Sequence, residues 1–130
     1  MAPERCPCGR DRPYAACCGP LHRGERAAAT PEDLMRSRYA AFCLGLVDYL
    51  VRTLHPTPRA ALDRAALERD VKGTAWVGLT VVEATGATCF DTTGIVAFEA
   101  RYRVGAKVAV MRERSRFERV DGAWCYVDGT

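Results

Sequence analysis

Two short runs carry the chemistry that can be read from this chain: Cys6-Pro7-Cys8-Gly9 and Cys17-Cys18-Gly19. They place four thiols within thirteen residues, in the pattern C-x-C-x8-C-C. A turn at Pro7-Cys8-Gly9 brings the first two sulfurs to one side of a loop, and Tyr14 to Cys18 can carry the second two back to meet them. Zn²⁺ prefers four soft ligands in a tetrahedron, with sulfurs ~2.3 Å from the metal. Disulfides are the main alternative, but Cys17 and Cys18 are adjacent, and each would have to bridge back to Cys6 or Cys8 in tight geometry. Inert buried thiols fit poorly with a segment this rich in Gly, Pro and Arg. The expected cofactor is therefore Zn²⁺ held by Cys6, Cys8, Cys17 and Cys18. With every ligand position filled by Cys, no site is left for a reacting water, so the metal is expected to be structural.

The run Cys-Pro-Cys-Gly-Arg-Asp-Arg-Pro-Tyr-Ala-Ala-Cys-Cys-Gly resembles the SEC-C motif, the zinc-binding tail of the SecA translocase. The stretches around Gly19-Pro20-Leu21-His22, Leu34 to Phe42 and Leu54-His55-Pro56 resemble the YchJ family of uncharacterised bacterial proteins. So do Ser115-Arg116-Phe117, Asp121 to Trp124 and Tyr126 to Gly129. This resemblance spans nearly the whole chain. It implies a zinc knuckle, residues 1–26, fused to an α+β cone of the nuclear-transport-factor-2-like type, residues 27–130. It implies no known activity. The family usually carries a His just before the Glu equivalent to Glu113, and here that position is Arg112.

Length and composition agree with a small globular chain. At 130 residues, one core-forming domain is the default. Apolar residues make up 48% and charged residues 27%, which excludes a disordered chain. A net charge of +3 is too mild to argue for nucleic acid. No apolar run approaches the ~20 residues needed to span a bilayer. No secretory signal precedes the cysteines, so a reducing, cytoplasmic setting is expected. Of the other thiols, Cys43, Cys89 and Cys125 read as core or semi-core residues.

The elements that must position these groups can be read in order. Thr30-Pro31-Glu32-Asp33 reads as a helix start, with Thr30 as cap and Pro31 in the first turn. Met35, Tyr39, Phe42 and Leu46 form one helical stripe, with Arg38 beside it. Gly45 marks a break, and a second helix follows from Leu46 to Leu54, ended by His55-Pro56. Thr57-Pro58 reads as a loop. Asp63 caps a third helix through Lys72, with Gly73 as its stop. From Thr74 the period changes to two. Strands are expected over Trp76–Val82, with Thr88-Cys89-Phe90 as a continuation or irregular edge, then over Thr93–Val104, Lys107–Arg119 and Trp124–Asp128. Asp121-Gly122 makes the last hairpin turn. The fold class expected is α+β, three helices packed on a curved antiparallel sheet and preceded by the knuckle.

Folds of this kind often enclose a pocket. The polar residues expected near it are Tyr39, His55, Trp76, Glu99, Glu113 and Ser115. Glu113 is expected to point inward and pair with Arg38 or His55. Ser115 has no Asp-His relay, and no catalytic residue is assigned. Two functions from different classes follow. The first is a non-enzymatic binding module whose knuckle contacts a protein or ribonucleoprotein partner, with the cone as scaffold. The second is a small-molecule pocket protein or enzyme with His55 and Glu113 as acid and base. An open, polar-lined interior favours the second, and an interior packed shut by Tyr39, Phe42, Trp76, Phe98 and Trp124 favours the first. Nucleic-acid binding ranks third, for want of an aromatic and basic stacking surface. The chain is expected to be a monomer, or a homodimer through its sheet.

Overall fold

The computed structural model describes residues 4–130, so the first three residues of the expected knuckle lie outside the described residues. After a 3₁₀ turn at Tyr14–Ala16 come five α-helices: α1 (Gly19–His22), α2 (Pro31–Leu44), α3 (Val47–Arg52), α4 (Pro56–Ala60) and α5 (Arg64–Gly73). Four strands follow: β1 (Trp76–Ala84), β2 (Thr93–Val104), β3 (Lys107–Val120) and β4 (Ala123–Gly129). They form one antiparallel sheet in chain order, a meander. The expected α+β fold is present, with two short helices, α1 and α4, added to the three read from the sequence.

Helix α2 is the centre of the molecule. It starts where its residues dictate: the Thr30 hydroxyl accepts from the Asp33 N–H at 3.1 Å, and Pro31 occupies the first turn. It ends at Gly45, whose φ of 75° is the left-handed conformation that stops a helix. Three apolar clusters meet on it. Leu34, Met35 and Tyr39 join Val96, Phe98 and Ala100 of β2, Phe117 of β3 and Trp124 of β4. Ala40 is buried against the four knuckle cysteines. Ala41 is buried with Tyr49 and Leu50 of α3 and Val71 of α5. A helix covered on three sides shows a weaker single stripe than a surface helix. The stripe read from the sequence holds for Met35 and Tyr39, and Leu46 lies beyond the helix, at the start of α3.

The sheet supplies the opposite wall. Even positions of β2 (Val96, Phe98, Ala100) and odd positions of β3 (Ser115, Phe117) face the core, as period two requires. The edge at β4 is covered: His55 N–H donates to the Tyr126 carbonyl at 2.8 Å, and Tyr126 N–H to the Thr53 carbonyl at 2.9 Å. The final hairpin turns on Asp121 and Gly122, with φ of 51° and 83°.

Three sequence expectations are corrected. The second helix stops at Arg52 and not at His55-Pro56; Pro56 instead opens α4, which takes in the Thr57-Pro58 read as a loop, because a proline is as well suited to a first turn as it is unfit for a helix interior. Thr88-Cys89-Phe90 is no strand. It belongs to a loop in which the Thr88 N–H and hydroxyl both donate to the Asp91 carboxylate, and it leaves Phe90 89% exposed. Cys89 is exposed with it, whereas Cys43 and Cys125 are half-buried.

The start of α2 is pressed against the loop joining β1 and β2. A Cβ added to Gly94 would lie 2.4 Å from the Pro31 ring and 2.8 Å from the Thr85 carbonyl oxygen. Gly94→Ala is therefore expected to cost about 1–3 kcal/mol by overpacking, seen as a lower denaturant midpoint at unchanged slope.

Candidate metal centre and cone cavity

The knuckle is built by short backbone bonds. Cys6 N–H donates to the Arg12 carbonyl at 2.9 Å and Tyr14 N–H to the Glu4 carbonyl at 3.0 Å, so the loop between them doubles back. Gly9 turns it with a φ of 91°. Cys17 N–H donates to Tyr14 at the 3₁₀ turn, and Cys18 leads into α1. The four sulfurs lie within 4.8 Å of one another, and Cys8 and Cys17 are 3.6 Å apart. A tetrahedron with arms of ~2.3 Å has edges of about 3.8 Å, so this spacing suits a metal. A disulfide needs about 2.05 Å, and all four thiols are free. Hydrogen bonds from Cys18 and Cys8 hold the Cys6 thiol below the ordinary thiol range. Four buried sulfurs with one already inclined to ionise make a donor set for a soft cation.

This knuckle is seated on α2. Arg36 donates to the Cys8 carbonyl at 2.9 Å and to Glu32 at 2.9 Å, and Arg10 pairs with Asp33 at 2.7 Å. His22 closes the junction. Its Nε2–H donates to the Ser37 carbonyl at 2.8 Å, which leaves Nδ1 to accept from the Tyr14 hydroxyl at 2.5 Å. Burial lowers the His22 pKa, so the fold holds the ring neutral. A histidine depressed in this way adds stability above its unfolded pKa near 6.5, and that contribution is lost as pH falls from there through the depressed value. Protonation would also reverse the bond at Nδ1, so that the Tyr14 hydroxyl would have to turn and accept. The stability advantage of wild type over His22→Gln is therefore expected to shrink between pH 7.5 and 5.5. Paired denaturation curves test this, because thiolate protonation is common to both proteins and cancels in the difference.

The second feature lies between α2 and the sheet. A half-open cavity of about 290 Å³ is lined by apolar groups from Met35, Phe42, Phe98 and Met111 and by polar ones from Arg38 and Glu113, among others. Glu113 Oε2 accepts from the Ser115 hydroxyl at 2.5 Å and the Tyr126 hydroxyl at 3.1 Å. Its carboxylate lies directly against Gly129, where an added Cβ would fall 2.3 Å from Cδ. Burial, then the Glu113 charge, push the Tyr126 hydroxyl up to about 12, so it stays a donor at neutral pH. Arg38 is 8% exposed. It donates through Nη1 to the Leu50 carbonyl at 2.8 Å and the Thr53 hydroxyl at 2.7 Å, and its guanidinium stacks 4.6 Å from the Tyr126 ring centre.

Comparison with known proteins matches these two features to two family models. Residues 3–20 match the SEC-C motif, and residues 30–129 match the YchJ middle nuclear-transport-factor-2-like domain. The chain belongs to the YchJ family. A UPF0225 protein of Streptomyces coelicolor, SCO1677, is 51% identical over 99% of this chain and 97% of its own. The solution structure of RPA3114, a SEC-C motif containing protein from Rhodopseudomonas palustris, superposes with a TM-score of 0.89 at 36% identity, covering 97% of each chain. A crystal structure of a SEC-C motif containing protein from Psychrobacter arcticus gives 0.85 at 30% identity, covering 96% of this chain and 81% of that one.

In this YchJ-family chain the residues singled out in the sequence separate into groups. Tyr39, Trp76 and Glu113 line the cavity. Ser115 is fully buried beneath it and reaches it only through Glu113. Glu99 is on the outer face, bonded to Arg112 at 2.7 Å, because it alternates with Phe98 along β2. His55 caps α4 by accepting from Thr57 N–H at 3.1 Å, and its Nε2 stands 3.5 Å from Glu118. The expected pairing of Glu113 with His55 or Arg38 is not formed: its Oε2 goes to two hydroxyls. Tyr126 and Asp70, which also line the cavity, were missed. Tyr126 had a signal, since it stands two residues after the buried Trp124 and so shares its face of β4. Among the described residues no helix is long and apolar enough to cross a membrane.

Proposed function

We propose that the protein is a binding module: its four knuckle thiolates hold a structural Zn²⁺, and its cone cavity receives a small molecule. The observation that carries this reading is the unfilled space of about 290 Å³ under α2, on which Arg38, Tyr126 and Glu113 converge. Packed interiors rarely leave voids much larger than a water molecule, so a space of this size with few, placed polar groups has the character of a ligand site. The interior is not shut by Tyr39, Phe42, Trp76 and Phe98, which instead form its walls. Trp124 lies apart, donating Nε1–H to the Ala29 carbonyl at 3.3 Å.

Zinc is favoured for the knuckle because a compact four-thiolate set suits a tetrahedral ion with no redox role. By fixing the loop that carries Cys8, the metal also fixes Arg36 and hence α2, the helix from which Met35, Arg38, Tyr39 and Phe42 reach the cavity. Seven unbridged cysteines support a reducing, cytoplasmic setting. Contact with a protein or ribonucleoprotein partner through the knuckle is a second reading. It rests on Arg12 and Arg26, which are exposed there and have no carboxylate partner among the described residues.

Methyl spectra of the full chain recorded against a mixed small-molecule library test the first reading. Binding is expected to move the Met35 and Met111 methyl signals. A library that shifts only surface signals, with both methyls unmoved, would contradict it.

A further inference from the structure

The chemical class of the cavity's occupant can be taken one step further, on the footing that the cavity is a ligand site. Two groups in its lining keep donors for which the protein supplies no acceptor. Arg38 is a buried cation that forms no ion pair among the described residues. Only its Nη1 is engaged; Nε and Nη2 find no acceptor there. A guanidinium offers five N–H groups in a fixed fork, so most of this one is unused. Trp76 keeps a buried Nε1–H with no partner among the described residues. The acid that could have answered them does not. Glu113 Oε2 is occupied by Ser115 and Tyr126, and Gly129 leaves room for the carboxylate to stay on that side.

A sealed donor without an acceptor costs about 1–3 kcal/mol, which applies to Trp76 Nε1, whereas the free nitrogens of Arg38 keep access to the cavity and so can meet an occupant. The groups left unmet are donors, Trp76 Nε1 and the free edge of Arg38, although the lining also carries the carboxylates of Glu113 and Asp70. A carboxylate is acceptor-only and matches the guanidinium fork with two parallel bonds. A phosphate would bring about two charges to a site with one free cation and with Glu113 nearby. Met35, Phe42, Phe98 and Met111 offer apolar contact, while Asp70 and Thr74 add a second carboxylate and a hydroxyl to the lining. Burial pulls the Arg38 pKa down to about 10, which still leaves it charged at neutral pH.

We propose that the cavity binds a small monocarboxylate with an apolar or aromatic body, its carboxylate forked onto the unused edge of Arg38 and its body against Met35, Phe42, Phe98 and Met111. Calorimetric titration of the full chain at pH 7 tests this with matched pairs: 3-phenylpropionate against 3-phenylpropanamide, and octanoate against octanamide. Each acid is expected to bind at least about tenfold more tightly than its amide, the value of a charge-assisted fork over a neutral bond. Arg38→Gln should bring the acid down to the level of the amide. The wild-type comparison stands whether or not that variant folds. Acid and amide binding equally would overturn the ligand class while leaving the cavity as a binding site. Inorganic phosphate displacing the acids at lower concentration would overturn it as well. No binding by any of the four compounds would overturn both this inference and the cavity reading on which it rests.

Discussion

Cys8→Ser is expected to release the metal and unfold the knuckle, and the damage should not stop there. Cys8 is fully buried, and its carbonyl accepts from Arg36 of α2. A three-thiolate site loses most of its affinity, and in metal-dependent modules binding energy is folding energy. The knuckle also covers Ala40 and Leu44. Uncovering them and releasing Arg36 should lower the stability of the rest of the chain by about 3 kcal/mol, a fall of about 10 °C in Tm. Backbone amide spectra should show residues 4–26 collapsing to unfolded shifts, while the sheet signals persist. Cys89→Ser is the control. That thiol lies exposed in the loop between β1 and β2, so its loss should change stability by no more than about 0.5 kcal/mol. A Cys8→Ser protein as stable as wild type would mean the knuckle contributes nothing to the fold.

Phe117→Ala is the second large effect expected. Phe117 is 1% exposed in the C-terminal half of β3 and meets the Tyr126 ring edge-on, with centroids 5.7 Å apart. Truncation of a buried aromatic costs about 3–5 kcal/mol, from lost burial and the cavity left behind. For a domain with a total stability of about 5–15 kcal/mol, that is a substantial fraction. The consequence should also be functional. Tyr126 carries the Arg38 guanidinium on its face and holds Glu113 through its hydroxyl. Loosening it should weaken carboxylate binding more than a truncation at Leu21, which belongs to a separate apolar cluster and makes no bond to Arg38. Calorimetry beside chemical denaturation separates the two effects.

The parts of this molecule that could be read in the sequence are those set by near neighbours. Thr30 and Asp63 cap α2 and α5 through bonds to residues three positions on, as their types foretold. Alternation along β2 and β3 put Phe98, Ala100 and Phe117 inward, and Asp121-Gly122 made the turn. The same alternation already placed Glu99 outside, against its inclusion among the pocket residues. The four thiols were legible because their separation is short enough for one loop to close. What stayed hidden is non-local. Arg38 finds its acceptors at the end of α3 and its stacking partner on β4, and no spacing announces that. His55-Pro56 was read as the stop of one helix, but α3 already ends at Arg52, and the pair acts as the cap and first turn of α4. His22 looked like part of the knuckle motif and proved to be its fastening to α2.

The account depends first on a metal joining the four sulfurs and so holding the knuckle against α2. Elemental analysis of the full chain, freshly purified under reducing conditions, addresses this directly. One zinc per chain is the result expected, lost on Cys8→Ser and retained on Cys89→Ser. A folded protein with no bound metal, or with these cysteines paired as disulfides, would contradict it.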